Sequence, residues 1–218
     1  STQGYSSAAS DVYKRQMLYF CRIVSKQHKV VLTGECADEV FGGYPWFHRE
    51  EFLKGGTFPW TPTLDPRKNL LSKELRELLR MEEYVQDTYN RALMDITPLP
   101  EENETETNRR QIGYLNIRFF MQTLLTRMDR TSMYSGLEAR VPFADPKLVS
   151  YVYNIPWNMK AKDGLVKNIL RQAAKGLLPD EILFRRKSPY PKSYNPQYEK
   201  LLTPVSYTHL TLPTNSLV

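Results

Sequence analysis

Residues 30–39 read Val-Val-Leu-Thr-Gly-Glu-Cys-Ala-Asp-Glu, and the passage from a β-branched apolar run into a small-residue, acidic turn decides the class of fold. Val30, Val31 and Leu32 are too few for a helix, and Thr33-Gly34 ends the run, so the segment predicts a buried strand feeding a loop. Upstream, Met17 to Ser25 is too apolar and too long for a loop and predicts a helix packed beside that strand. Helix and strand together form a fragment of an alternating α/β layer. Downstream, Gly42-Gly43 and Pro45 interrupt regular structure.

Further along, the chain predicts mostly helix. Phe52 to Pro66, rich in Gly, Pro, Thr and aromatics, reads as an irregular linker. A helical stretch begins near Ser72, whose hydroxyl can cap free amides, and Leu75, Leu78, Leu79, Tyr84, Val85 and Tyr89 recur at helical spacing. The acidic run Glu101 to Thr107, after Pro98 and Pro100, predicts an exposed connection. Ile112, Leu115, Phe119, Phe120, Leu124, Leu125 and Met128 form an apolar stripe that predicts a central core helix over 108–128. Further helices are expected over Pro146 to Asn154 and Gly164 to Lys175, the second closed by Gly176 and Pro179. Ser188 to Pro196, with three prolines, reads as a loop lying over something.

Composition bounds the function classes. The 218 residues are 41% hydrophobic, 12% aromatic and 25% charged, the balance of an ordinary globular chain. No run of about 18 apolar residues occurs, and Ser1 to Gln16 lacks the apolar stretch of a secretory signal, so neither membrane nor export is indicated and the cytoplasm is the expected compartment. Cys21 and Cys36 stand without a second Cys or His at metal spacing, which excludes a disulfide framework or zinc site from the reading. The net charge of +6 comes from Lys and Arg interspersed with Asp and Glu, a mixed solvated surface and not a nucleic-acid face. His28, His48 and His209 have no partners in the sequence and read as surface or core histidines.

The two ends carry a different signal. Asp11 to Arg15 and Val205 to Leu210 can be back-translated onto opposite strands of one DNA sequence. It resembles the transposase end used in sequencing-library adapters, and Gln16 continues the match. The expectation is that 1–16 and 205–218 are translated adapter, with 17–204 carrying the biology.

A strand that ends in Thr33-Gly34 and opens onto Glu35, Asp38 and Glu39 places small residues and carboxylates where open α/β sheets bind ligands. Gly34 lets backbone amides approach a phosphate or ribose, and a carboxylate can hold a magnesium ion between phosphates and an anionic nucleophile. The same spacing equally suits the acidic first turn of a helix.

The strings themselves say more. Val31-Leu-Thr-Gly-Glu-Cys-Ala-Asp-Glu-Val-Phe-Gly-Gly-Tyr44 resembles the signature loop of the asparagine synthetase family, whose form is close to LSGEGADEIFGGY. Met128-Asp-Arg-Thr-Ser-Met133, Gly136-Leu-Glu-Ala-Arg-Val-Pro-Phe-Ala-Asp145, Leu165-Val-Lys-Asn-Ile-Leu-Arg171 and the run Gly176 to Leu183 resemble further blocks of that family in the same order. Arg186 to Lys192 with Asn195-Pro196 is similar to its bacterial glutamine-dependent branch. Thr33, Cys36 and Ala144 depart from the family's usual Ser, Gly and Leu. Thr33 keeps the hydroxyl, whereas Cys36 puts a side chain where the family has none.

The resemblance implies an α/β PP-loop ATPase (adenine nucleotide α-hydrolase-like) synthetase domain, this segment being its mostly helical carboxy-terminal portion with few parallel strands. It implies ATP and Mg2+ as cofactors and amidation of aspartate to asparagine through β-aspartyl-AMP, with ammonia derived from glutamine. Thr33 and Gly34 would contact ATP, Glu35 and Lys167 would be catalytic, and Asp38 would help bind magnesium. Lys167 would neutralise charge building on the phosphates, its alternative being a solvent-facing lysine. Glu39, Asp129, Glu138 and Arg140 would shape the aspartate pocket, Arg140 by pairing with a carboxylate or, equally, in a structural ion pair. The partners implied are an amino-terminal glutaminase domain and a second copy in a homodimer. The family's SGGxDS pyrophosphate loop is not in the chain, so the chain as written is expected to lack synthetase activity. Alternatives are another acid-adenylating amidotransferase of the β-lactam-synthetase kind, or a non-catalytic interaction protein.

Overall fold

The computed structural model describes residues 12–97, 99–186 and 197. The expected tails 1–11 and 205–218, Pro98 and the loop Ser188 to Pro196 lie outside the described residues.

Helix α1 (Val12–Val24) leads into β1 (Val30–Leu32) and then the short helix α2 (Ala37–Phe41). A 3-10 turn at Pro45–Phe47 precedes the short helices α3 (Glu50–Leu53) and α4 (Asp65–Lys68), followed by α5 (Lys73–Leu79) and α6 (Met81–Met94). Next, α7 (Glu104–Leu115) and α8 (Gln122–Tyr134) are joined without a break by a π turn at Asn116–Met121. After β2 (Glu138–Arg140) come a 3-10 turn at Pro142–Ala144, α9 (Pro146–Tyr153), α10 (Trp157–Lys160), α11 (Asn168–Ala173) and α12 (Asp180–Leu183). The described residues are thus mostly helical with a small parallel sheet.

Local chemistry sets several boundaries. Ser72 Oγ accepts from the Leu75 amide at 3.3 Å, capping α5 where the sequence places its start. The predicted exposed connection before the core helix is instead helical from Glu104, because Asn103 and Glu106 form a reciprocal capping box that satisfies both free amides. Asp145 caps α9 by accepting from the amides of Lys147 and Leu148 at 2.8 and 3.2 Å. The helix predicted from Gly164 begins only at Asn168. Asp163, Gly164 and Lys167 all have positive φ (52°, 75° and 56°), which right-handed helix cannot contain. The predicted linker also does more than connect, since Phe58 is buried against Leu115 and Ala92 with Trp60 packed beside it.

The two strands pair in parallel, Val30 opposite Glu138 and Leu32 opposite Arg140, and the Thr33 amide extends the ladder by donating to Arg140 O at 2.9 Å. Val31 faces a cluster of Met17, Cys21, Leu137 and Met128 that binds the sheet to α1 and α8. The strand is not buried as predicted: Val30 and Leu32 are 42% and 69% exposed. Alternate residues point to opposite faces, and α1 and α8 cover only the face that carries Val31. A second cluster of Cys36, Val40, Phe41, Met121 and Val152 packs α2 against the π turn and α9.

Candidate active site

The site is built on the turn between β1 and α2. The Glu35 amide donates to Thr33 Oγ1 at 3.1 Å, which bends the chain directly after the strand. Cys36 then adopts a left-handed conformation, φ 69°, before α2 begins. This is the physical reason glycine suits the position, since a Cβ is strained there. Cys36 offsets that cost by burying its side chain to 1% exposure within the α2 cluster. Burial, reinforced by the nearby Glu39 and Glu35, pushes its thiol up to about 12, so it stays protonated and inert at neutral pH.

Two carboxylates of this turn meet cations from distant parts of the chain. Glu35 Oε1 accepts from Arg127 NH2 of α8 at 2.8 Å, both side chains being about 15% exposed. Glu35 Oε2 is buried and has no hydrogen-bond partner among the described residues. Asp38 Oδ1 lies 2.9 Å from Lys167 Nζ, again largely shielded. Lys167 itself has φ 56° and stands immediately before α11, so the backbone holds this lysine as a junction residue, not as one within a helix. Behind Asp38 runs Gly43, where an added Cβ would sit 1.8 Å from Asp38 Oδ1. Only glycine leaves room for the carboxylate in this position.

The other predicted residues divide. Thr33 and exposed Gly34 flank the turn, and an added Cβ at Gly34 would meet no atom within 4 Å, so its backbone is open to a ligand. Arg140 follows Thr33 across the ladder, and its side chain pairs with Glu138 at 2.7 Å on the exposed sheet face. Asp129 is exposed on α8, and its side chain enters no hydrogen bond or ion pair among the described residues. Glu39 is buried and accepts from Tyr44 Oη at 2.5 Å. Its carboxylate lines a separate cavity with Lys160 and Arg109.

The sequence reading missed Arg127, although it directly precedes the Met128-Asp-Arg block, and it took Gly43 for a simple break. His48 is the core histidine expected, its ring 2.8 Å from Gly42 O and its ionisation lowered by burial. Among the described residues no group of three or more His, Cys, Asp or Glu is placed to hold a metal ion. Asp38 is nevertheless a fitting donor for magnesium, which commonly takes one or two carboxylates and completes its shell with substrate phosphates and water. Among the described residues no helix is long and apolar enough to cross a membrane.

Comparison with known proteins follows the same residues. The model of the asparagine synthase family matches 10–212. The chain is 50% identical over 184 residues to asparagine synthetase [glutamine-hydrolyzing] 3 of Bacillus subtilis (strain 168), an alignment that covers 84% of this chain and 30% of that protein. It is 30% identical over 207 residues to asparagine synthetase [glutamine-hydrolyzing] 1 of the same organism, covering 80% of this chain and 32% of that protein. With the asparagine synthetase of Rattus norvegicus it shares 40% identity over 96 residues, 43% of this chain and 16% of the other. The chain spans about a third of the length of the two bacterial relatives.

Proposed function

Since the chain belongs to the asparagine synthase family, we propose that it supplies part of the site for ATP-dependent amidation of aspartate to asparagine. The full reaction belongs to a polypeptide of the relatives' length that carries this segment. Ammonia is taken to come from glutamine, as the relatives' names state for them, and the architecture is read as part of a PP-loop ATPase synthetase fold.

In this reading the aspartate side-chain carboxylate attacks the α-phosphate of ATP, giving β-aspartyl-AMP and pyrophosphate, and ammonia then displaces AMP. Thr33 and the open backbone at Gly34 contact the nucleotide. Lys167 offsets negative charge as pyrophosphate departs, a task suited to a compact cation preset in a shielded site. Asp38 would hold a magnesium ion, which screens the phosphates. Glu35 supports both adenylation and the ammonia step, held in place by Arg127. Arg140, one ladder step from Thr33, is the proposed carboxylate-binding residue of the aspartate pocket, steadied by Glu138.

The observation that carries the reading is the Asp38–Lys167 contact at 2.9 Å. It joins the signature loop to the block around Leu165 to Arg171, as a shared phosphate site requires. Aspartate-dependent ATP–pyrophosphate exchange tests it, measured in the longer polypeptide carrying this segment. Exchange that survives both Glu35→Gln and Lys167→Ala at the unsubstituted rate refutes the assignment.

A further inference from the structure

Behind α2, away from the Asp38–Lys167 contact, lies a cavity of about 510 Å³ between α2, α7, α9 and α10, within the range of small-molecule sites. None of Thr33, Gly34, Glu35, Asp38 or Lys167 lines it. Its wall at Gly113 and Ile117 runs into the π turn between α7 and α8, a distortion that recurs at functional sites because it re-aims side chains out of helical register.

Lys160 is only 7% exposed at this cavity. Its ammonium makes one hydrogen bond, to Tyr153 O at 3.2 Å, and no ion pair with a carboxylate among the described residues. An ammonium has three donors, so most of its hydrogen-bonding capacity is unmet in a dry setting, where an unpaired charge is costly. The neighbouring guanidinium of Arg110 adds to that cost, although Arg110 itself is neutralised by Glu102. A second cation, Arg109, also faces the cavity. It donates to Phe47 O at 3.3 Å and lies over the Trp157 ring, but forms no salt bridge among the described residues.

The lining carboxylates are committed elsewhere: Glu102 to Arg110, Glu39 to Tyr44 and Glu106 to the capping box of α7. The unmet groups of the cavity are therefore cationic donors. We propose that this cavity binds a small organic or inorganic oxyanion, a carboxylate or phosphate group seated between Lys160 and Arg109. The site is distinct from the adenylation loop, although Glu39 and Val40 connect the two through α2. The proposal does not depend on the function assigned to that loop.

Calorimetric titration of the complete 218-residue chain with succinate and, separately, inorganic phosphate tests this at neutral pH. Saturable one-to-one binding is expected for at least one probe, and which one binds identifies the chemistry. Lys160→Met, which removes the charge but keeps an apolar stem, is expected to weaken it by about tenfold or more, the scale of a lost charge-assisted hydrogen bond. Circular dichroism checks that this variant stays folded. Arg109→Gln is expected to weaken binding as well, and exposed Lys147→Met to leave it unchanged. Absence of saturable binding by both probes, or binding that Lys160→Met and Arg109→Gln leave intact, overturns the proposal.

Discussion

Lys167 Nζ sits 2.9 Å from Asp38 Oδ1 while the Lys167 backbone holds φ 56°. The catalytic cation is thus fixed at a left-handed junction ahead of α11, a conformation that costs a non-glycine residue about 1 kcal/mol. Lys167→Gly separates the two roles. Relief of backbone strain offsets part of the lost side-chain contact, so thermal stability is expected to change by less than about 1 kcal/mol, whereas pyrophosphate exchange in the longer polypeptide falls by about 100-fold or more. Equal loss of stability and exchange would reduce Lys167 to a structural role.

Gly34 and Gly43 make a matched pair. An added Cβ at Gly43 collides with Asp38 Oδ1, whereas one at Gly34 meets nothing. Gly43→Ala is therefore expected to lower both melting temperature and exchange by displacing Asp38. Gly34→Ala should leave the melting temperature within a degree or so while raising the KM for ATP, because only the approach of ligand to backbone is obstructed. Differential scanning fluorimetry with exchange kinetics reads both.

The Glu35–Arg127 pair predicts an asymmetry. Arg127→Met leaves the largely shielded Glu35 carboxylate without its cation, and breaking such a pair from one side costs roughly 3 kcal/mol. Glu35→Gln keeps an oxygen for the guanidinium, so it is expected to cost less stability than Arg127→Met while losing more exchange activity. Urea denaturation of the two variants gives the first comparison; the reverse order would show that Glu35 is held by something other than Arg127.

The turn from strand to acidic helix was legible because β-branched residues followed by Thr-Gly specify it locally, and the Ser72 cap and the α9 boundary were legible for the same reason. Partners joined across long stretches of chain were not. Nothing around Arg127 distinguishes it from any other helical arginine until α8 packs against the β1 turn. Likewise Lys160 lies in a short helix whose spacing gives no hint of burial. The exposed face of β1 escaped prediction because apolar content shows what can be buried, and packing of α1 and α8 on one side decides what is. The departure at Cys36 became intelligible only with its φ and its place in the α2 cluster on view.

Two buried titratable groups pull stability in opposite directions with pH. Burial lowers the Lys160 ammonium to about 8 in the folded chain, against about 10.4 unfolded. Between those values the unfolded state binds more protons, so stability rises with pH through this window, by roughly 3 kcal/mol from this group. The Cys36 thiol is raised to about 12. The folded state holds its proton where the unfolded thiol has lost it, so its contribution is intact below about 8.5 and is lost as pH rises from there towards 12. Denaturant titrations from pH 7 to 8.5 should show the lysine effect almost alone, with stability increasing. In Lys160→Met that increase is expected to vanish, and in Cys36→Ala the decline above pH 9 should become shallower. A chain whose stability falls steadily from pH 7, with Lys160→Met behaving the same way, would mean that Lys160 is solvated and the cavity open to water.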